Sequence, residues 1–243
     1  MMRFCNKNNH AIIQKERGLE MIFPLKFGAH IRTYPRIAAA FEVFKVEMKK
    51  NVELWDKTAA NPTEWYKVFV SNFMHGAFLC TQEAESITSY ERLRLRTANI
   101  DDYDFINMAE QDEDCTPWVN NWPLHSRIEK FGDNNFYQTI IETCEGQSVG
   151  FIDFRDMLNE TQVELKRIVI TERGKGYGKE AMYLSQRFAF EVLNRDRLYL
   201  GTKVNNARAI HLYNTTGFSL VDPNNTAYFH ISKCNWTSNP KGH

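Results

Sequence analysis

The chain has 243 residues, 43% hydrophobic and 13% aromatic, enough for one large or two small packed domains, which excludes a disordered or fibrous protein. Thirty Lys and Arg offset thirty Asp and Glu, so no global field draws the chain to nucleic acid, an acidic partner or a membrane surface. Cys5, Cys80, Cys115, Cys144 and Cys234 are scattered without a Cys-x-x-Cys pair, and the histidines show no metal-ligand spacing, so reduced thiols and no metal are predicted.

Among the first 25 residues, Arg3, Lys7, Lys15, Glu16, Arg17 and Glu20 interrupt short apolar runs, leaving no signal-peptide core and no membrane span. A soluble, cytoplasmic protein with no membrane association is the expectation. Residues 1–34 show no sustained period and read as a lead-in. Ile37, Phe41, Phe44, Met48, Val52 and Trp55 then recur at helical spacing, with Lys49, Lys50 and Glu53 off the stripe. A second helix starts at Asn61-Pro62-Thr63-Glu64, which supplies a cap, a proline at the first helical position and an early acid. Trp65, Phe69 and Phe73 form its apolar face. Residues 37–80 therefore read as a helical hairpin within an N-terminal extension, residues 1–88. So aromatic a hairpin invites burial against the following domain, a partner or a second copy, and a homodimer is one outcome.

Residues 82–89 are polar and read as a linker. A short strand at Leu93 and Leu95 follows, then a helix over 101–110, opened by acidic residues. Residues 117–131, with Trp118, Trp122 and His125, read as loop or short helix. Strands are predicted at 136–142, 148–154 and 162–170, spaced closely enough for an antiparallel meander. A helix at 176–193, a strand at 198–204, a helix at 206–215 and strands at 218–221 and 227–232 complete a mixed α+β pattern. Residues 236–243 read as a tail.

The run Ile168-Val169-Ile170-Thr171-Glu172-Arg173-Gly174-Lys175-Gly176-Tyr177-Gly178-Lys179-Glu180-Ala181 passes from a β-branched strand through a glycine-rich turn into a helix. Glycines at alternate positions let backbone amides approach an anion, and the helix turns its positive end to the same place. Arg173 and Lys179 add charge. The run lacks the spacing of a nucleoside-triphosphate loop, and its third glycine falls one residue too early for a dinucleotide fingerprint. Taken alone, it also suits a flexible turn.

With this loop on the page, Arg173-Gly174-Lys175-Gly176-Tyr177-Gly178 resembles the Arg/Gln-x-x-Gly-x-Gly/Ala loop with which the GNAT superfamily of N-acetyltransferases binds the pyrophosphate of coenzyme A. About 30 residues on, Asn206-Ala207-Arg208-Ala209-Ile210-His211-Leu212-Tyr213-Asn214-Thr215-Thr216-Gly217-Phe218 is similar to that family's Asn-x-x-Ala-Ile-x-Leu-Tyr-x-x-x-Gly-Phe helix and turn. The resemblance covers residues 90–235 and looks closest to the branch of ribosomal-protein N-terminal acetyltransferases. The strand-to-loop connection lacks the family's frequent proline. The resemblance implies a GNAT fold over residues 89–235, a central, mostly antiparallel sheet flanked by helices. It also implies acetyl-CoA as co-substrate and a primary amine as acceptor, on a protein or peptide N-terminus or a small molecule.

By the same resemblance, Ile168 and Ile170 offer backbone groups to the pantetheine arm, residues equally at home in a core. Gly174, Lys175, Gly176, Tyr177, Gly178 and Lys179 with Arg173 take the phosphates, and Asn206 and Ala209 border the arm from the facing helix. Tyr213 is the expected acid for the departing thiol; a plain buried tyrosine is its alternative. Deprotonating a lysine-type amine near pKa 10.4 at pH 7.4 costs about 4 kcal/mol, an α-amine near 7.8 well under 1. The base is therefore optional for N-terminal substrates. Glu164 is the candidate that the resemblance implies, six residues before Ile170, where several family members carry a catalytic glutamate; strand parity puts it on one face with Lys166, Ile168 and Ile170. An exposed glutamate paired with Lys166 or Arg167, with water as relay, suits it equally. No cysteine lies in the motifs, which favours direct transfer over a covalent route. Trp118, Trp122 and His125 are the expected acceptor-binding residues, ordinary aromatic packing being the alternative. A rival reading is a GNAT-like module that senses acyl-CoA or scaffolds a partner without catalysis.

Overall fold

The computed structural model describes residues 2–5, 10–14, 20–24, 34–55, 62–222 and 226–236, the side chains of 2–24, 52–55 and 62–67 excepted. Among them are six α-helices: α1 (Pro35–Trp55), α2 (Pro62–Leu79), α3 (Tyr103–Gln111), α4 (Leu124–Phe131), α5 (Tyr177–Arg187) and α6 (Ala207–Thr215). The strands are β1 (Met2–Cys5), β2 (His10–Gln14), β3 (Glu20–Pro24), β4 (Ser86–Tyr90), β5 (Leu93–Thr97), β6 (Phe136–Thr143), β7 (Ser148–Arg155), β8 (Gln162–Ile170), β9 (Arg197–Lys203), β10 (Ser219–Asp222) and β11 (Thr226–Ser232). Two compact units share them: residues 1–83 with 122–133, and 84–121 with 134–243.

In the first unit the predicted hairpin forms as α1 and α2. Ile37, Phe41, Phe44 and Met48 are buried as the stripe requires. The Phe44 ring stacks on Phe73 at 4.3 Å and on Phe69 at 5.3 Å between centroids, a geometry that adds to simple burial. Val52, Trp55 and Trp65, as side chains, and the expected cap Asn61 lie outside the described residues. The hairpin is joined by α4, from the stretch read as loop or short helix. A Cβ on Gly76 would sit 1.7 Å from the Ile128 carbonyl oxygen, and one on Gly132 equally close to that of Asn72. Only glycines let these two backbones touch. The stretch read as a lead-in contains β1, β2 and β3, paired antiparallel in that order. Strands of four or five residues are too short for alternation to register in a sequence.

The second unit is an eight-stranded sheet in the order β10-β11-β9-β8-β7-β6-β5-β4. All neighbours are antiparallel except β8 and β9, whose parallel pairing requires the crossover helix α5. The predicted meander is β5 to β8. The residues read as a linker contribute β4 instead, an edge strand whose polar, half-exposed sequence carries no burial signal. One face of the sheet closes over α5 and α6: Val163, Leu165, Leu198, Leu200 and Phe229 pack with Met182, Leu184, Phe188 and Tyr213. After Arg187, α5 loosens into a π-helical turn over Phe188–Val192.

Candidate active site

The site originates where two strands part. β8 and β9 pair from Gln162↔Arg197 to Leu165↔Leu200 and no further, although β8 continues to Ile170 and β9 to Lys203. Beyond Leu165 the β9-facing edge of β8 is left without its neighbour, and its backbone groups require another partner. A cleft of about 930 Å³ fills the gap, lined by Lys166, Ile168 and Ile170 on one side and by Gly201, Thr202 and Lys203 on the other. The glycine loop, the start of α5 and the face of α6 continue the same wall through Arg173, Gly174, Gly176, Tyr177, Gly178, Lys179, Asn206, Ala209 and Tyr213. The expected cofactor-binding residues, with the exception of Lys175, thus line one cavity.

The loop has the conformation its glycines suggested. Gly174 and Gly176 have φ of +75° and +82°, a region costly for residues bearing a Cβ. Gly176 is the N-cap of α5 and supplies no side-chain cap; the Lys179 N–H is taken by the Gly176 carbonyl at 3.0 Å, while the N–H groups of Tyr177 and Gly178, at the very start of the helix, face where an anion would sit. Arg92 bolts the loop in place. It is ion-paired with Glu180, its Nε donating at 2.8 Å, and its Nη2 donates to the Lys175 carbonyl at 2.8 Å. Lys175 is turned to Glu172, with Nζ 2.8 Å from the carboxylate. Arg173 is ion-paired with both Asp112 and Asp114. The Arg173 guanidinium beside Asp112 holds that carboxyl below its usual range.

Asn206 caps α6, its Oδ1 accepting from the Ala209 N–H at 3.2 Å, which fixes the helix whose face borders the cleft. Tyr213 is buried between Phe218 and Phe229, with ring centroids at 6.2 and 5.5 Å. Burial pushes its hydroxyl up to about 12, because the phenolate loses hydration. The tyrosine therefore stays protonated throughout the physiological range.

The strand parity is corrected by a β-bulge. Asp153 pairs with Arg167 and Phe154 with Leu165, which leaves Lys166 as an extra residue. Val163, Leu165, Ile168 and Ile170 consequently share the face packed towards α5, and Glu164 and Arg167 take the other. Glu164 is not among the cleft-lining residues; Lys166 Nζ donates to it at 3.2 Å. Arg167 is locked between Glu110, with which it is ion-paired, and Asp153, 3.7 Å from its Nε. Trp118 lines the cleft, with Lys203 Nζ 5.9 Å from its ring centre. Trp122 and His125 belong to the helical unit. There Trp122 lies under the Arg127 guanidinium, and His125 Nε2 is 2.6 Å from Glu47. Sequence reasoning missed Arg92, Asp112 and Asp114, since ion pairs across 59 to 88 residues leave no local pattern.

An extended ligand with a polyanionic end suits this cleft. Open amides and cations stand at one end, an unpaired strand edge can meet an amide arm, and Leu165, Ile168, Ile170 and Leu212 supply an apolar floor. No helix among the described residues is long and apolar enough to cross a membrane. No group of three His, Cys, Asp or Glu among them is placed to hold a metal.

Residues 92–219 match the family described as acetyltransferase (GNAT) domain, more than half of the chain. Spermidine N(1)-acetyltransferase of Escherichia coli strain K12 is 24% identical over 141 residues, 54% of this chain and 75% of that protein. The enzyme of the same name from Vibrio cholerae is 26% identical over 88 residues, covering 35% and 51%. Among solved structures, the V. cholerae spermidine N-acetyltransferase in complex with CoA and spermine aligns with a TM-score of 0.53 at 18% identity, over 60% of this chain and 98% of that one. A GNAT-family acetyltransferase from Bacillus anthracis aligns at 0.50 and 17%, over 61% and 98%. The E. coli and V. cholerae relatives bear the name of a small-amine enzyme, not that of the ribosomal-protein branch the motifs suggested. Family match, fold and cleft together make this chain a member of the GNAT family, an acyl-CoA-dependent N-acetyltransferase.

Proposed function

We propose that the protein moves an acetyl group from acetyl-CoA directly onto a primary amine, with a small-molecule amine as the favoured acceptor and a peptide or protein N-terminus as the second. The observation that supports this most is the parting of β8 and β9. It gives one path from the glycine loop, past the freed strand edge, to the Tyr213 side chain. When bound, acetyl-CoA supplies the activated acetyl thioester. The loop amides at Gly174, Gly176 and Gly178 with Arg173, Lys175, Tyr177 and Lys179 hold the phosphates. Ile168 and Ile170 offer backbone groups to the arm, and Asn206 and Ala209 border it. Tyr213 Oη carries the proton that the leaving group requires. Glu164, rotated to the opposite face by the bulge at Lys166, receives the amine's proton directly or through water. Trp118 walls the acceptor.

The small-molecule preference takes its support from the relatives named for spermidine, the N-terminal alternative from the two motifs. A homodimer is part of the proposal, supported by a V. cholerae relative described as dodecameric, and sedimentation velocity checks it. Calorimetric titration with acetyl-CoA, desulfo-CoA and ATP, followed by thiol release against polyamines, other small amines and N-terminal peptides, tests the whole. CoA-selective binding with amine-dependent thiol release is expected. CoA binding without release by any amine would defeat the assignment of acceptor class, and failure of the folded protein to bind CoA would defeat the site.

A further inference from the structure

Arg173 belongs to the loop expected to meet the cofactor's phosphates, yet its guanidinium is held by Asp112 and Asp114. Both acids lie just beyond α3, in the segment 112–121. The same segment reaches the other wall of the cleft. Lys203 Nζ donates to the Pro117 carbonyl at 2.8 Å and stands over the Trp118 ring, and Asp114, Trp118, Val119 and Asn120 line the cavity between. The segment is thus a strap across the split, tied to the phosphate loop at one end and to β9 at the other.

We propose that Asp112 and Asp114 are the internal counter-anions of Arg173, which the cofactor's phosphates displace, so that cofactor binding frees the strap carrying the acceptor-side residue Trp118. This rests on the acetyl-CoA reading above. A guanidinium engaged by two carboxylates has few N–H groups left for a pyrophosphate, because the fork holds five donors in fixed directions. The carboxylates also oppose any polyanion brought into the loop. Neither acid is deeply buried, with side-chain exposures of 37% and 62%, so exchanging them for phosphate costs little desolvation and is governed by charge. The strap's position is thereby linked to the state of the cofactor end, and by reciprocity the free strap favours the bound cofactor.

The test uses the full chain and CoA itself. In the D112N/D114N variant, CoA is expected to bind about three- to tenfold more tightly than in the wild type by calorimetry, with the gap narrowing as salt is raised. Hydrogen exchange of residues 112–116 is expected to quicken when CoA binds the wild type, and to be already quickened without CoA in R173A. A folded D112N/D114N variant that binds CoA more weakly would overturn the proposal and make the acids positioning residues for Arg173. Exchange that slows on CoA binding would overturn it as well. The singly substituted D114N, at the more exposed position, repeats the affinity arm should the double variant misfold. Loss of CoA binding by the wild type would overturn the cofactor reading along with it.

Discussion

Tyr213 combines two properties that a leaving-group acid needs: it borders the cleft, and burial lifts its hydroxyl to about 12. The sign matters. The acid form is the active one, and a raised pKa extends that form upward, so Tyr213 gives no falling limb in a rate profile until the pH approaches 12, past the ordinary tyrosine range near 10. Y213F is expected to keep CoA affinity and to lose about 10²- to 10⁴-fold in kcat, measured by thiol release beside calorimetry. Glu164 allows a graded test. Since an α-amine costs well under 1 kcal/mol to deprotonate at pH 7.4 and an alkylamine about 4, E164Q should slow transfer to a polyamine far more than transfer to a peptide N-terminus. Equal losses on both acceptors would remove Glu164 as the base.

At the level of elements, two departures from regularity shape the cleft and its surroundings. The bulge at Lys166 turns Glu164 and Arg167 to one face and Ile168 and Ile170 to the other, and the early end of the β8–β9 ladder opens the cleft. The glycine loop is the third device. At Gly174 a Cβ would meet nothing within 4 Å, and only the φ of +75° resists a side chain. G174A therefore isolates backbone strain, of about 1–2 kcal/mol, and is expected to weaken CoA binding about five- to thirtyfold. Calorimetry checks this, and an unchanged affinity would show that the loop tolerates another conformation.

At the scale of the whole molecule, the helical unit carries a pH-sensitive group. In the helical unit, burial pushes the Glu129 carboxyl up to about 7. A carboxyl raised above its unfolded value near 4.5 binds more protons in the native state. Its contribution to stability is therefore complete below that value and is lost as pH rises through about 7. Urea unfolding followed by circular dichroism at pH 5 and pH 8 should find the wild type more stable at the lower pH in the phase reporting this unit. E129Q should flatten that dependence, and a variant that keeps the full dependence would assign it to another group.

What the sequence determined by itself was local. Hydrophobic period located α1, α2, α5 and β6 to β8, the paired glycines at Gly174 and Gly176 announced a loop with open amides, and the Asn206 to Phe218 motif named the helix that carries Tyr213. These signals reside within a few residues of one another, where backbone preference and side-chain spacing act directly. The tertiary structure alone decided the rest. One extra residue at Lys166 reversed the face of Glu164, an α4 segment 122–133 joined the helical unit through Gly76 and Gly132, and Arg173 found its partners 61 and 59 residues away at Asp112 and Asp114. Register, close backbone approach and long-range charge pairing are settled by how elements pack, and packing carries no period along the chain.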